Sequence, residues 1–266
     1  MECKEIERSI IKKYKKSIYS KFIKSIKDFE LIKDKDKIAV CISGGKDSLL
    51  LAKCMQELQI HSKFNFTLEF IVMDPGYTKE DLNTLKLLLD KLNIKANIYQ
   101  SNIFESIKDS PSPCYLCARK RRGSLYAKAK SLGCNKIALG HNFDDVIETI
   151  LLNIFYAGEY KTMMPKLKST NFEGMELIRP LYYVKEEDII SWKNYNKLDA
   201  LEASCPITKE SIGERKHIKD LLKQLKKDNP NIDINILNSS TNIYKDAILG
   251  YKEDGKKHSF LEDYDK

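Results

Sequence analysis

No stretch of this 266-residue chain approaches the ~18 consecutive apolar residues of a membrane-spanning helix, so no membrane partner is expected. The opening residues, MECKEIERSIIKKYKKSIYS, hold no unbroken apolar core of ~7 to 15 residues and no small-residue cleavage site. A secretory signal is therefore not expected, and a cytoplasmic location follows. An even cysteine set is missing too: Cys3, Cys41, Cys54, Cys114, Cys117, Cys134 and Cys205 make seven, which speaks against a disulfide framework and leaves metal or redox chemistry for any close pair. Internal repeats and low-complexity linkers are absent, so domain counting starts at one. Acidic residues vanish between Ser110 and Phe143, where seven basic residues stand, a footprint suited to a polyanion. Across the chain Lys plus Arg number 46 against 38 Asp plus Glu, a net +8.

What is present follows two periods. Ile6, Ile10, Tyr14, Ile18, Phe22 and Ile26 recur at intervals of four and predict an amphipathic helix over residues 2–29. From Lys37 onward apolar strands alternate with helices. KIAVCI, FTLEFIVM, KANIYQ and KIALG read as strands, and SLLLAKCMQEL and residues 78–92, 115–131 and 143–157 as helices. Helices are further expected at 185–195 and 209–227, and more weakly over 231–249. This alternation predicts a doubly wound α/β domain around a parallel sheet, with ligands at the carboxyl ends of the strands. Ser43 to Ser48, Asp74 to Tyr77 and Gly140 to Asp145 fall at such ends.

The first of these, SGGKDS, joins strand to helix. Gly44 and Gly45 permit close backbone approach, Ser43 and Ser48 offer hydroxyls, Lys46 a cation and the following helix its positive end, so an anion is expected there. The Walker pattern G-x-x-x-x-G-K-[ST] does not occur at this position. Asp47 suits Mg²⁺ beside phosphates, because a hard dication takes oxygen ligands. Further on, Cys114 and Cys117 form C-x-x-C, a spacing shared by zinc, iron-sulfur and redox sites. No second C-x-x-C exists, and Cys205 is the remaining cysteine in an irregular segment. Cys41, Cys54 and Cys134 read as core thiols. Arg119, Lys120, Arg121 and Arg122 follow the C-x-x-C and are candidates for the phosphates of such a polyanion. GHNFDD puts Gly140, His141, Asp144 and Asp145 at a strand end. One of the two aspartates is expected to cap the next helix, the other to orient Mg²⁺ or an acceptor base.

The string SGGKDS after an apolar strand resembles the pyrophosphate loop of PP-loop ATP pyrophosphatases. That likeness implies that Ser43, Gly44, Gly45, Lys46, Asp47 and Ser48, with Asp74, Gly140 and His141, bind ATP while an acceptor attacks the α-phosphorus. The run C-x-x-C-x-R-x-R-R-G, the stretch G-H-x-x-D-D-x-x-E-T and a later cysteine are similar to the TtcA-type tRNA 2-thiocytidine synthetases of that superfamily, over roughly residues 20–245. This resemblance implies a [4Fe-4S] cluster on Cys114, Cys117 and Cys205. It also implies catalytic roles for Asp47, Arg121, Asp144 and Asp145, with tRNA as substrate and ATP as cosubstrate. Sulfur would come from a cysteine desulfurase or free sulfide, and a homodimer is compatible. The later site departs from the family: it reads CPIT, with Thr208 where a fourth cysteine would stand. A 2-thiouridine enzyme, a lysidine synthetase-like enzyme using an amine nucleophile and a non-catalytic iron-sulfur RNA-binding sensor are the alternatives. The expected organisation is an N-terminal helix over 1–30, a PP-loop domain with the cluster site over 31–205, a helical extension over 206–250 and a flexible tail over 251–266.

Overall fold

The computed structural model describes residues 2–62, 65–101, 113–201, 211–262 and 264. Six strands form one sheet: β1 (Lys37–Ile42), β2 (Thr67–Asp74), β3 (Ala96–Gln100), β4 (Lys136–Ala138), β5 (Lys166–Lys168) and β6 (Glu176–Ile178), in the order β3-β2-β1-β4-β6-β5. The first four strands and β6 run parallel, and β5 closes one edge antiparallel to β6. Val40 lies opposite Phe70 on one side and Ala138 on the other, so β1 is central and buried on both faces.

Side chains of β1 alternate between two cores, as a period of two requires. Ile38, Val40 and Ile42 face the larger core, with Leu49 to Met55 of α3 (Lys46–His61), Leu85 to Leu89 of α4 (Lys79–Lys91) and Trp192 of α7 (Glu186–Tyr195). Ala39 and Cys41 face the smaller one, with Tyr126 and Ala129 of α5 (Pro113–Ser131). The doubly wound expectation holds, with the antiparallel edge as an addition.

The N-terminal segment forms α1 (Cys3–Ile11) and α2 (Ser20–Asp28), separated by a π turn over Lys15–Tyr19, where one helix was expected. Residues four apart drift by about 40° per step on an α-helix, and the wider π turn takes up part of that drift. All six apolar residues of the repeat are buried in the larger core. The expected 143–157 helix ends as α6 at Leu152 (Phe143–Leu152) and continues as a π turn over Asn153–Ala157. Beyond it β5 and β6 occupy a stretch to which the sequence assigns no element; three residues each are too few for a visible alternation.

The C-terminal part holds α8 (Ser211–Asp228) and α9 (Ile232–Ser239), the latter shorter than expected. The supposed flexible tail contains a hairpin, β7 (Gly250–Glu253) with β8 (Lys256–Ser259). Its turn is Asp254-Gly255 with φ of 49° and 77°, the positive-φ pair that two-residue hairpin turns demand.

Candidate functional site

β1 connects to β2 on one side and β4 to β6 on the other, so the crevice between the carboxyl ends of β1 and β4 is the switch point where such sheets bind ligands. The loop after β1 is held open by its own polar groups. Ser48 Oγ donates to Gly45 O at 2.9 Å and accepts from Ser43 N at 3.1 Å. Gly44 sits at φ 81°, and its carbonyl accepts from Leu201 N at 3.0 Å. Gly45 is the N-cap of α3 and lends it no side-chain cap, so the amides of the first turn are available to an anion.

Lys46 is engaged at rest. Its Nζ donates to Glu186 Oε1 at 2.9 Å and to Asp47 Oδ2 at 3.1 Å. Asn142 Nδ2 donates to Asp47 Oδ1 at 3.0 Å, joining the loops after β1 and β4. Burial pushes the Asp47 carboxyl up while Lys46 and Asn142 pull it down. Gly140 makes the close approach of these loops possible: a Cβ there would lie 3.0 Å from Ser48 N and 3.1 Å from the Asp47 carbonyl carbon.

Capping is shared differently from the expectation that one aspartate of GHNFDD caps α6. Asn142 is the cap, accepting from the amides of Asp144 (2.9 Å) and Asp145 (3.2 Å), and Asp145 completes a capping box by accepting from Asn142 N at 3.0 Å. Asp144 instead accepts from Glu186 N at 2.7 Å, at the start of α7. Asp145 also faces Arg215 at 3.4 Å.

Residues given no role in the sequence close this arrangement into a ring. Glu148, 2% exposed, lies 3.5 Å from both Arg215 and Lys219, and Lys219 donates to Glu186 at 2.9 Å. Lys46, Glu186, Lys219, Glu148, Arg215, Asp145, Asn142 and Asp47 thus form a closed circuit tying α8 to the phosphate loop. Burial pushes the Glu148 carboxyl up to about 7, against Lys219 and Arg215. The spacing Asp145-x-x-Glu148 on α6 was the available signal, since residues three apart share a helix face. Glu186 and Lys219 left none.

Asp74 ends β2, and its Oδ1 accepts from Gly76 N (2.8 Å) and Tyr77 N (2.7 Å), so one oxygen shapes the turn. Tyr77 OH donates to Ser43 O at 3.0 Å, and burial raises its hydroxyl pKa while the charge of Arg121 lowers it. Along α5, Arg119 and Arg122 are exposed and Lys120 and Arg121 half-buried. Burial, with Arg179 next, holds the His141 imidazole down to about 4, so it is neutral at physiological pH.

Cys114 and Cys117 lie three apart near the start of α5, on one helical face, and their side chains are outside the described residues, as is Cys205. Cys205 falls in the span between Leu201, bonded to Gly44, and Ser211, which starts α8. Three cysteine thiolates fit an iron-sulfur group in donor chemistry. Among the described residues no three His, Cys, Asp or Glu side chains gather as a metal site. Cys41, Cys54 and Cys134 are buried free thiols, as expected.

A PP-loop domain model matches residues 14–205. The tRNA-cytidine(32) 2-sulfurtransferase of Pelobacter propionicus is 35% identical over 236 residues, covering 87% of each chain. That of Geotalea uraniireducens is 37% identical over 231 residues, 85% of this chain and 91% of its own. Among solved structures, the U34-tRNA thiolase NcsA of Methanococcus maripaludis with its [4Fe-4S] cluster aligns over 84% of this chain and 76% of its own, at TM-score 0.68 and 23% identity, a likeness of fold.

Proposed function

The chain belongs to the PP-loop family, in its branch of tRNA-cytidine 2-sulfurtransferase enzymes, and from that premise we propose that it is an ATP-dependent tRNA thiolase. It would adenylylate O2 of a cytidine with loss of pyrophosphate and then exchange that oxygen for sulfur with loss of AMP. Position 32, named for the relatives, is the proposed target.

The carrying observation is the packing of α5, which bears the C-x-x-C, on β1 and β2, the strands that end at the phosphate loop and at Asp74. Tyr77 joins those two strand ends by donating to the Ser43 carbonyl. Backbone amides at Gly44 and Gly45, with the Ser43 and Ser48 hydroxyls, cradle the β- and γ-phosphates. Lys46 leaves Glu186 for phosphate oxygens, and Asp47 holds Mg²⁺. Arg121 offsets charge developing at the adenylate, and Asp145, fixed by Asn142 and Arg215, orients the acceptor. Cys114, Cys117 and Cys205 would hold the [4Fe-4S] cluster, which when bound supplies the sulfur that the donor system delivers.

Mass spectrometry of nucleosides from tRNA of a strain lacking the gene and its parent tests the reading. Loss of 2-thiocytidine alone is the expected result. Loss of 2-thiouridine instead would move the target, and persistence of every thionucleoside in that strain would refute thiolation.

A further inference from the structure

The carboxyl edge of the sheet holds buried polar groups, apart from Lys46, that the proposed reaction leaves unused. Arg179 follows β6 and is 4% exposed. Its Nη1 donates to the Met164 carbonyl, its Nε is buried without a hydrogen-bond partner, and no carboxylate pairs with it among the described residues. Leaving such a donor unmet in the interior costs ~1–3 kcal/mol, so the position needs an explanation. His141, after β4, the neighbour of β6, has Nδ1 equally buried and unmet. Ala138 pairs with Ile178 across β4 and β6, so His141 and Arg179 leave adjacent strand ends, and Arg215 of α8 reaches the α6 N-terminus at 3.4 Å from Asp145. The charges of Arg179, Arg215 and Arg122 of α5 bear on His141, opposed by Asp145. Arg122 also depresses Arg179 itself.

Arg179 and His141 thus stand at adjacent strand ends, with Arg215 at the α6 N-terminus and the charge of Arg122 bearing on them. Buried polar atoms left unmet there among further cations match an oxyanion with several lone pairs. We infer that Arg179, His141, Arg122 and Arg215 form a subsite for a single phosphate group, separate from the pyrophosphate loop. The inference rests on the proposed function for its two sources of phosphate, the α-phosphate of ATP and a backbone phosphodiester of the tRNA next to the target nucleotide. Arg179 and His141 are its fixed floor, and Arg122 and Arg215 its solvent side.

The test is a double-mutant cycle on the full chain, with ATP binding measured by calorimetry and binding of a tRNA transcript by filter retention at several salt concentrations. Arg122→Gln and Arg179→Lys should each weaken one ligand by about tenfold, the worth of a charge-assisted contact. The double variant should be little worse than the weaker single, because both side chains hold the same group. If tRNA is affected, and the slope of log affinity against log salt flattens by roughly 0.7–0.9, the phosphate belongs to the RNA. If ATP is affected and the slope stays, it is the nucleotide's. Fully additive losses, or unchanged affinity for both ligands, would overturn the subsite. Should Arg179→Lys fail to fold, Arg122→Gln with Arg215→Gln closes the same cycle, since both side chains reach solvent. These readouts need no sulfur transfer. Loss of the thiolase reading with an intact cycle, or the reverse, would therefore tell the two ideas apart.

Discussion

Lys46 and Glu186 lie 140 residues apart in sequence and 2.9 Å apart in space, so the cation of the phosphate loop is bound to the start of α7. Asp144 fixes that start through the Glu186 amide, and Lys219 takes the second carboxylate oxygen. Glu186 is thus the junction between the loop, the β4 turn and α8.

Lys46→Ala should weaken ATP binding by about tenfold or more, since the charge-assisted bonds to phosphate are lost. Glu186→Gln should strengthen it, because a neutral amide competes less for Lys46. Calorimetry with ATP and Mg²⁺ reads both; weaker binding in the Gln variant would show that Glu186 supports the loop and does not compete with phosphate.

Gly140→Ala should disturb the site more than the fold. The new methyl meets backbone at 3.0 Å, where no flexible side chain can give way. Parting the two loops should cost ~1–3 kcal/mol in urea denaturation and a larger fraction of ATP affinity. A variant with native affinity would mean that the loops separate without consequence.

Asn142→Ala removes the α6 cap and the bond to Asp47 together. A loss of ~1–2 kcal/mol of stability is expected from the cap. Asn142→Asp should restore the cap and, by setting a carboxylate against Asp47, fail to restore Mg²⁺-dependent ATP binding. Calorimetry at varied Mg²⁺ separates the two effects.

Glu148 gives a dependence on pH. Its folded pKa, about 7, lies above the ordinary 4.5, so between those values the native state holds more protons than the unfolded chain. Its contribution is then fully present below the ordinary value and lost as pH rises through 7. Glu148→Gln should flatten the fall in melting temperature between pH 5 and pH 8 (about 3 units spanning the shift). An unchanged slope would mean that Lys219 and Arg215 keep the carboxylate ionised throughout.

The sequence by itself determined the parts whose cause is local. Short apolar runs placed β1 to β4, the intervening helical stretches placed α3 to α6, and period-four apolar spacing placed the buried stripe of the N-terminal segment. SGGKDS after a strand marked the anion loop, because glycine freedom and a helix N-terminus act within a few residues. The Asp254-Gly255 turn, a pair suited to positive φ, is equally local, though its flanks are polar. Tertiary structure decided the rest. Glu186, Lys219, Arg215 and Arg179 carry no spacing that points to a site; each is recruited because separate elements end at one edge of the sheet. Which aspartate of GHNFDD serves which helix depended on where α7 begins, and the start of α7 is fixed only once the sheet is assembled. Ionic contacts of this kind join residues remote in sequence, and their strength comes from burial that no single segment possesses.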